Sequence, residues 1–150
     1  MNAAEHFPLM VLGAAASDYS PVQVRAPYDN SLIATVATAN AEAVEQALQN
    51  AAALFADRDG WLSVPERIGI LERAIVLMQD QAEELAVEAA REGGKPLVDS
   101  NIEMARCIDS IRICINTLRT EGSEAPPMGL NAASQQHLAM MSREPIGVVV

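Results

Sequence analysis

Ser142-Arg143-Glu144-Pro145-Ile146-Gly147-Val148-Val149-Val150 is the stretch on which the fold class turns. A polar turn, Arg143-Glu144-Pro145, gives way to an apolar run rich in β-branched residues and without polar alternation. That pattern marks a strand buried on both faces, typically a parallel strand of an α/β sheet. Such a strand needs neighbours, and the 150-residue sequence supplies none after Val150. The expected fold class is therefore α/β, truncated at the first strand of a parallel sheet.

Working back from that end, residues 122–133 have loop chemistry, with Pro126-Pro127 and Gly129, and Gln136 to Ser142 reads as a further strand. Before them lie helices with well-marked ends. Ser100-Asn101-Ile102-Glu103 has the form of a capping box opening a long helix through Met104, Cys107, Ile108, Ile111, Cys114, Ile115 and Leu118. Asp80, with Glu83 three residues on, is expected to begin the preceding helix, which Gly93-Gly94 ends and Lys95-Pro96 keeps from resuming. Ser63-Val64-Pro65-Glu66 caps another, carrying Ile68, Leu71, Ile75 and Met78 at helical spacing. Asn40 caps the first, whose apolar face is Val44, Ala47, Leu48, Ala51 and Phe55. Upstream, Val22-Gln23-Val24-Arg25 and Leu32-Ile33-Ala34-Thr35-Val36 read as strands joined by the turn residues 26–31. The chain thus divides into an N-terminal segment (1–19), a hairpin with helices (20–122), a loop with one strand (123–145) and the beginning of a buried strand (146–150).

Composition excludes several classes of partner. Twenty acids against ten bases give a net charge of −10, and Lys95 is the sole lysine. No basic stripe exists to neutralise a phosphate backbone, so nucleic acid is not an expected partner. An acidic surface also repels anionic lipid heads. The apolar run from Phe7 to Ala16 is interrupted by Pro8 and preceded by Glu5 rather than by lysine or arginine, unlike a signal peptide. It is also far short of the roughly 20 residues that span a bilayer. No membrane association and a cytoplasmic location are expected. Aromatic residues make up 3% of the chain, so the core must be aliphatic.

Chemistry-bearing motifs are sparse. The sequence has no glycine-rich dinucleotide or phosphate loop, no nucleophile elbow and no zinc-binding histidine pair. Cys107 and Cys114 stand about 10 Å apart along a helix, too far for a disulfide within it, and are expected as buried free thiols. Cys107 lacks the neighbouring base or helix N-terminus that a nucleophilic thiolate needs. Gly93-Gly94-Lys95-Pro96 lies at a helix end, where the dipole repels anions, and reads as a helix stop with a solvated lysine. Glu83, Glu84 and Glu88 read as solvated acids.

The order of these features nonetheless resembles a known family. Val24-Arg25-Ala26-Pro27-Tyr28-Asp29, an Ala-rich helix before Trp61, Pro65-Glu66-Arg67-Ile68-Gly69-Ile70-Leu71, Glu83-Glu84-Leu85-Ala86, Glu92-Gly93-Gly94-Lys95-Pro96-Leu97 and Arg143-Glu144-Pro145-Ile146-Gly147-Val148-Val149 follow one another as in the N-terminal part of an NAD(P)-dependent aldehyde dehydrogenase. The resemblance covers residues 20–150. It implies an N-terminal helical and strand portion of a cofactor domain, with residues 138–142 contributing to an oligomerisation arm and 146–150 beginning the first cofactor-sheet strand. It also implies a homodimer or homotetramer that oxidises a small aldehyde to an acid with NAD or NADP. In such enzymes a cysteine thiolate attacks the carbonyl, hydride passes to nicotinamide, and a glutamate-activated water releases the acyl group.

Within residues 1–150 the resemblance supplies no catalytic and no cofactor-binding residue, since those of the family lie beyond Val150. Three positions can be carried over. Glu92 matches a place where some members hold a structural cation with carbonyls near Val24 and Arg25, against the simpler reading of a solvated acid. Ser100 and Met104 fall on a helix that flanks the substrate tunnel, against helix capping for Ser100 and core packing for Met104. The alternative function is a non-catalytic interaction module docking onto a full-length relative through its arm. A free-standing helical bundle accounts for residues 40–122 but not for the strands on either side.

Overall fold

Strand alternation at Val22–Arg25 (β2) and Leu32–Val36 (β3) produces an antiparallel pair, with Val24 opposite Ala34 and a register shift at Val24/Arg25. The structure is a computed structural model and describes residues 5–14 and 21–149. The turn is closed by backbone bonds from Ala26 N–H to Ser31 C=O and from Asn30 N–H to Ala26 C=O. Asn30 takes φ +60°, a conformation its side chain tolerates better than most. The Asp29 carboxylate accepts the Ser31 N–H at 2.9 Å, which holds its pKa below the ordinary 3.8, with Arg91 adding a smaller pull. A third strand, Glu5–Phe7 (β1), lies parallel to β3 on its other side, giving the order β1-β3-β2. The sequence reading missed β1, because three residues carry no periodicity and only their pairing makes them a strand.

Four helices follow. Ala41–Ala56 (α1) begins where Asn40 Oδ1 accepts the Ala43 N–H at 2.8 Å. A short 3₁₀ turn at Arg58–Gly60 leads into Val64–Asp80 (α2). Glu66 reaches back to accept both the N–H and the hydroxyl of Ser63, at 2.8 and 2.6 Å. Those bonds lower the Glu66 pKa from the ordinary 4.5, the hydroxyl bond most. Ala82–Gly93 (α3) ends in the left-handed residue Gly94, at φ +62°. Leu97–Thr120 (α4) follows and is the element that α2 and α3 both contact.

Three boundaries differ from expectation. Asp80 belongs to the last turn of α2, not to the start of α3. The junction is Gln81, whose N–H still bonds the Leu77 carbonyl, so the first helix runs on to the point where the second begins. α4 starts at Leu97, one turn before the expected cap, because the Pro96 carbonyl accepts the N–H groups of both Asp99 and Ser100. Gln136 to Ser142 is not a strand. It meets the rest of the chain through one bridge, Glu124 with Met141, whose two backbone bonds are 2.9 and 2.8 Å.

Ile146–Val149 lies outside any strand, with Ile146 90% exposed, and Val150 falls outside the described residues. The described residues place no strand beside it, and a run of this kind pairs only with neighbours. Cys107 and Cys114 are exposed, not buried. The buried positions on α4 are Ser100, Ile108 and Ile115. At 100° per residue each cysteine lies one step off the seam occupied by Ile108 and Ile115.

The core is small. Among the described residues the buried hydrophobic ones are Ala26, Ala34, Ala43, Ala86, Ile108 and Ile115. The apolar face expected of α1 is largely uncovered, with Val44, Leu48 and Phe55 all exposed. Among the described residues no helix is long and apolar enough to cross a membrane.

Candidate functional site

Glu92 and Ser100 flank the corner between α3 and α4, whereas Met104 lies further along α4, facing the junction of α2 and α3. Gly93-Gly94 stops α3 in the way its sequence dictates: Gly94 adopts the left-handed conformation and its N–H bonds the Ala90 carbonyl. A Cβ at Gly94 would come within 3.0 Å of Pro27 Cβ, so the corner sits directly against the β2–β3 turn. A cleft of about 320 Å³ opens there, lined by Tyr28, Asp29 and Ser31 of the turn and by Arg91, Lys95 and Leu97 of the corner. Lys95 is half-buried and ion-paired with Glu103 in the second turn of α4, rather than solvated alone.

Glu92 lies exposed in the last turn of α3. The described residues contain no group of three His, Cys, Asp or Glu side chains able to hold a metal ion. One exposed carboxylate does not fit a divalent ion, which takes several oxygen ligands.

Ser100 is 1% exposed in the first turn of α4, and its hydroxyl has no hydrogen-bond partner. It is not the helix cap, since Pro96 occupies that place. Met104, one turn on, is half-buried and lines a cleft of about 430 Å³ with Gln79, Ala82, Glu83, Asn101, Ala105 and Ile108. The structure therefore puts Ser100 inside the helix packing and Met104 at an opening between α2, α3 and α4.

These residues do not fit a dinucleotide. Among the described residues no glycine-rich turn leads from a strand into a helix, which is how a pyrophosphate is held, and Lys95 already neutralises Glu103. No cofactor step can be assigned to this stretch of chain.

A larger concavity, of about 680 Å³, was not legible in the sequence. It lies where the segment Ser142–Pro145 passes the start of α2, and Arg58, Trp61, Leu62, Arg67 and Arg143 line it. The lining residues stand up to 87 positions apart, from Arg58 to Pro145, so no motif joins them.

A helical frame on a small mixed sheet, with an αL glycine corner after α3, defines a known class of fold. The chain superimposes on aldehyde dehydrogenase 21 from Physcomitrella patens, in complex with the reaction product succinate, with a TM-score of 0.76 over 89% of this chain and 28% of that one, at 22% identity. It matches glyceraldehyde-3-phosphate dehydrogenase from Methanocaldococcus jannaschii, complexed with NADP, with a TM-score of 0.66 over 74% of this chain and 24% of that one, at 22% identity. In sequence it is 32% identical over 114 residues to N-succinylglutamate 5-semialdehyde dehydrogenase of Pseudomonas fluorescens, covering 74% of this chain and 22% of the relative. The model of the aldehyde dehydrogenase family matches residues 14–150. The chain belongs to the aldehyde dehydrogenase family. It spans about a quarter of the length of the relatives it matches.

Proposed function

We propose that this chain is the N-terminal segment of an oxidoreductase that oxidises an aldehyde to a carboxylic acid with NAD or NADP. The observation that carries the proposal is the family match, which is continuous through the helices, the loop and the Arg143–Val149 stretch. The segment's own contribution is structural. Among the described residues neither cysteine stands beside an activating base and no cofactor cradle is formed, which supports placing the cysteine that forms the thiohemiacetal on chain other than these 150 residues. NADP in the Methanocaldococcus relative supports use of a nicotinamide dinucleotide. The corresponding whole enzyme is a cytoplasmic homodimer or homotetramer acting on a small aldehyde.

Of the two tunnel candidates, Met104 is supported by its position on a cleft. Nothing comparable supports Ser100, whose burial favours packing. Glu92 as a cation ligand would require carbonyl oxygens to supply most of the donor set.

The test is to read the coding sequence beyond Val150 and to compare two polypeptides, residues 1–150 and the product of the continuing frame. Each is mixed with an aldehyde series and NAD⁺ or NADP⁺, and nicotinamide reduction is followed by absorbance. The shorter polypeptide is expected to be inactive and the longer one active. A stop codon after Val150, or a longer product that reduces neither dinucleotide with any aldehyde, would sink the enzyme reading in favour of an interaction module.

A further inference from the structure

Asp59-Gly60 is the one Asp–Gly pair in the sequence, and no Asn–Gly pair occurs. It lies in the 3₁₀ turn Arg58–Gly60 between α1 and α2, and both residues are exposed. An aspartate followed by glycine is chemically labile, because glycine has no Cβ to keep its amide nitrogen from the preceding side-chain carboxyl. In the reaction the Gly60 nitrogen attacks Asp59 Cγ, one water leaves, and a five-membered succinimide forms. Water then opens the ring at either carbonyl, regenerating aspartate or giving isoaspartate, in which the main chain runs through Cβ. The water lost is regained and the step is internal to two residues, so it does not depend on what else packs against this turn.

Asp57 bears on both the lability and its control. A Cβ at Gly60 would meet Asp57 Oδ2 at 2.8 Å and Cγ at 3.2 Å, so a larger residue there would have to push the carboxylate off the turn. Asp57 also accepts the Gly60 N–H twice, through its carbonyl at 3.2 Å and through Oδ1 at 3.3 Å. The nitrogen that would attack is thereby engaged. Across the same two residues the Trp61 N–H bonds the Arg58 carbonyl at 3.3 Å. A 3₁₀ turn holds ψ at roughly −20 to −30°. Bringing the Gly60 nitrogen onto Asp59 Cγ requires Asp59 to rotate out of that range, which breaks these bonds.

We propose that Asp59-Gly60 is a site of spontaneous aspartate isomerisation and that Asp57 sets its rate. The carboxylate that favours glycine at position 60, and so makes Asp59 labile, is also the group that restrains the glycine N–H. Isoaspartate adds one atom to the main chain of the turn. It therefore displaces Arg58 from the Trp61 ring, whose centroid its guanidinium carbon approaches to 4.8 Å, and from Glu144, with which it is ion-paired. The proposal is independent of the enzymatic reading, since none of these residues is assigned to the reaction.

The test uses the protein at its full encoded length, with circular dichroism checking the fold of each variant. After ageing at neutral pH and digestion, peptides carrying residue 59 are separated by chromatography, where the two isomers have equal mass and different retention. In urea, isoaspartate is expected to accumulate at position 59. In the native protein it is expected to form about tenfold more slowly, as suits the one or two hydrogen bonds that must open first. Asp57→Ala is expected to raise the native rate about fivefold while leaving the rate in urea unchanged. Asp57→Asn keeps an oxygen over the Gly60 N–H and is expected to age as the parent does, which preserves the comparison if the alanine variant fails to fold. Asp59→Glu would have to close a six-membered ring and is expected to give no isomer. No isomer at position 59 in urea, equal rates in urea and in the folded protein, or a folded Asp57→Ala that ages no faster than the parent would each overturn the proposal. So would a folded Asp57→Asn that ages at the rate seen in urea.

Discussion

At the start of α4 the Ser100 hydroxyl sits in the helix packing with nothing to bond to. Serine followed three residues later by glutamate is the pattern of a cap, and the same hydroxyl in a cap would accept a backbone N–H. Two facts move it inward: the Pro96 carbonyl begins the helix a turn earlier, and Glu103 is taken by Lys95. A buried hydroxyl without a partner costs about 1–3 kcal/mol relative to a solvated one, and alanine is the better helix former. Ser100→Ala is therefore expected to leave the thermal midpoint unchanged or to raise it by the equivalent of about 1 kcal/mol. Melting followed by circular dichroism checks this. A loss of about 1 kcal/mol, the usual cost of removing a cap, would return Ser100 to the helix end.

At the scale of elements, the corner between α3 and α4 is the feature that the local sequence determines most completely. Gly93-Gly94-Lys95-Pro96 ends one helix and forbids its continuation, and the structure uses the glycine for a left-handed turn. Tertiary contact then adds a second demand on the same residue, since Pro27 of the β2–β3 turn closes over it. Gly94→Ala is expected to cost about 1–2 kcal/mol from the left-handed backbone alone, and more from the approach to Pro27. The check is the urea midpoint at constant slope, and an unchanged midpoint would mean that the hairpin turn and the end of α3 do not meet. Ile146–Val149 shows the opposite case. Its composition is that of a strand, yet backbone donors and acceptors form a strand only against another one, and the described chain sets none beside it.

At the scale of the whole molecule the surface is too large for its mass. A folded monomer of 16.0 kDa has an accessible area of about 7,400 Å², whereas this chain exposes 11658 Å². The excess includes Val76, Leu77, Val98, Ile102 and Ile113 on α2 and α4, all exposed. Apolar area on that scale is characteristic of surfaces that pack on other protein. The isolated 150-residue chain is expected to bind a hydrophobic dye strongly, or to self-associate, and to unfold with low cooperativity. A monodisperse chain that ignores the dye and melts sharply would show that these faces find partners within the chain itself.

The hairpin, the cap at Asn40, the Ser63–Glu66 box and the helix stop at Gly94 were all legible in the sequence. Each rests on interactions spanning a few residues, so spacing and residue type suffice to specify it. The serial order of those pieces was enough to carry the family resemblance. What tertiary structure alone decided is which side chains are covered. It paired Glu5–Phe7 with β3, withdrew Ser100 from the helix end, left Cys107 and Cys114 outside the α4 seam and brought Arg58, Arg67 and Arg143 to one concavity. Burial and long-range charge placement depend on how elements pack against one another, and no local pattern encodes that for residues dozens of positions apart.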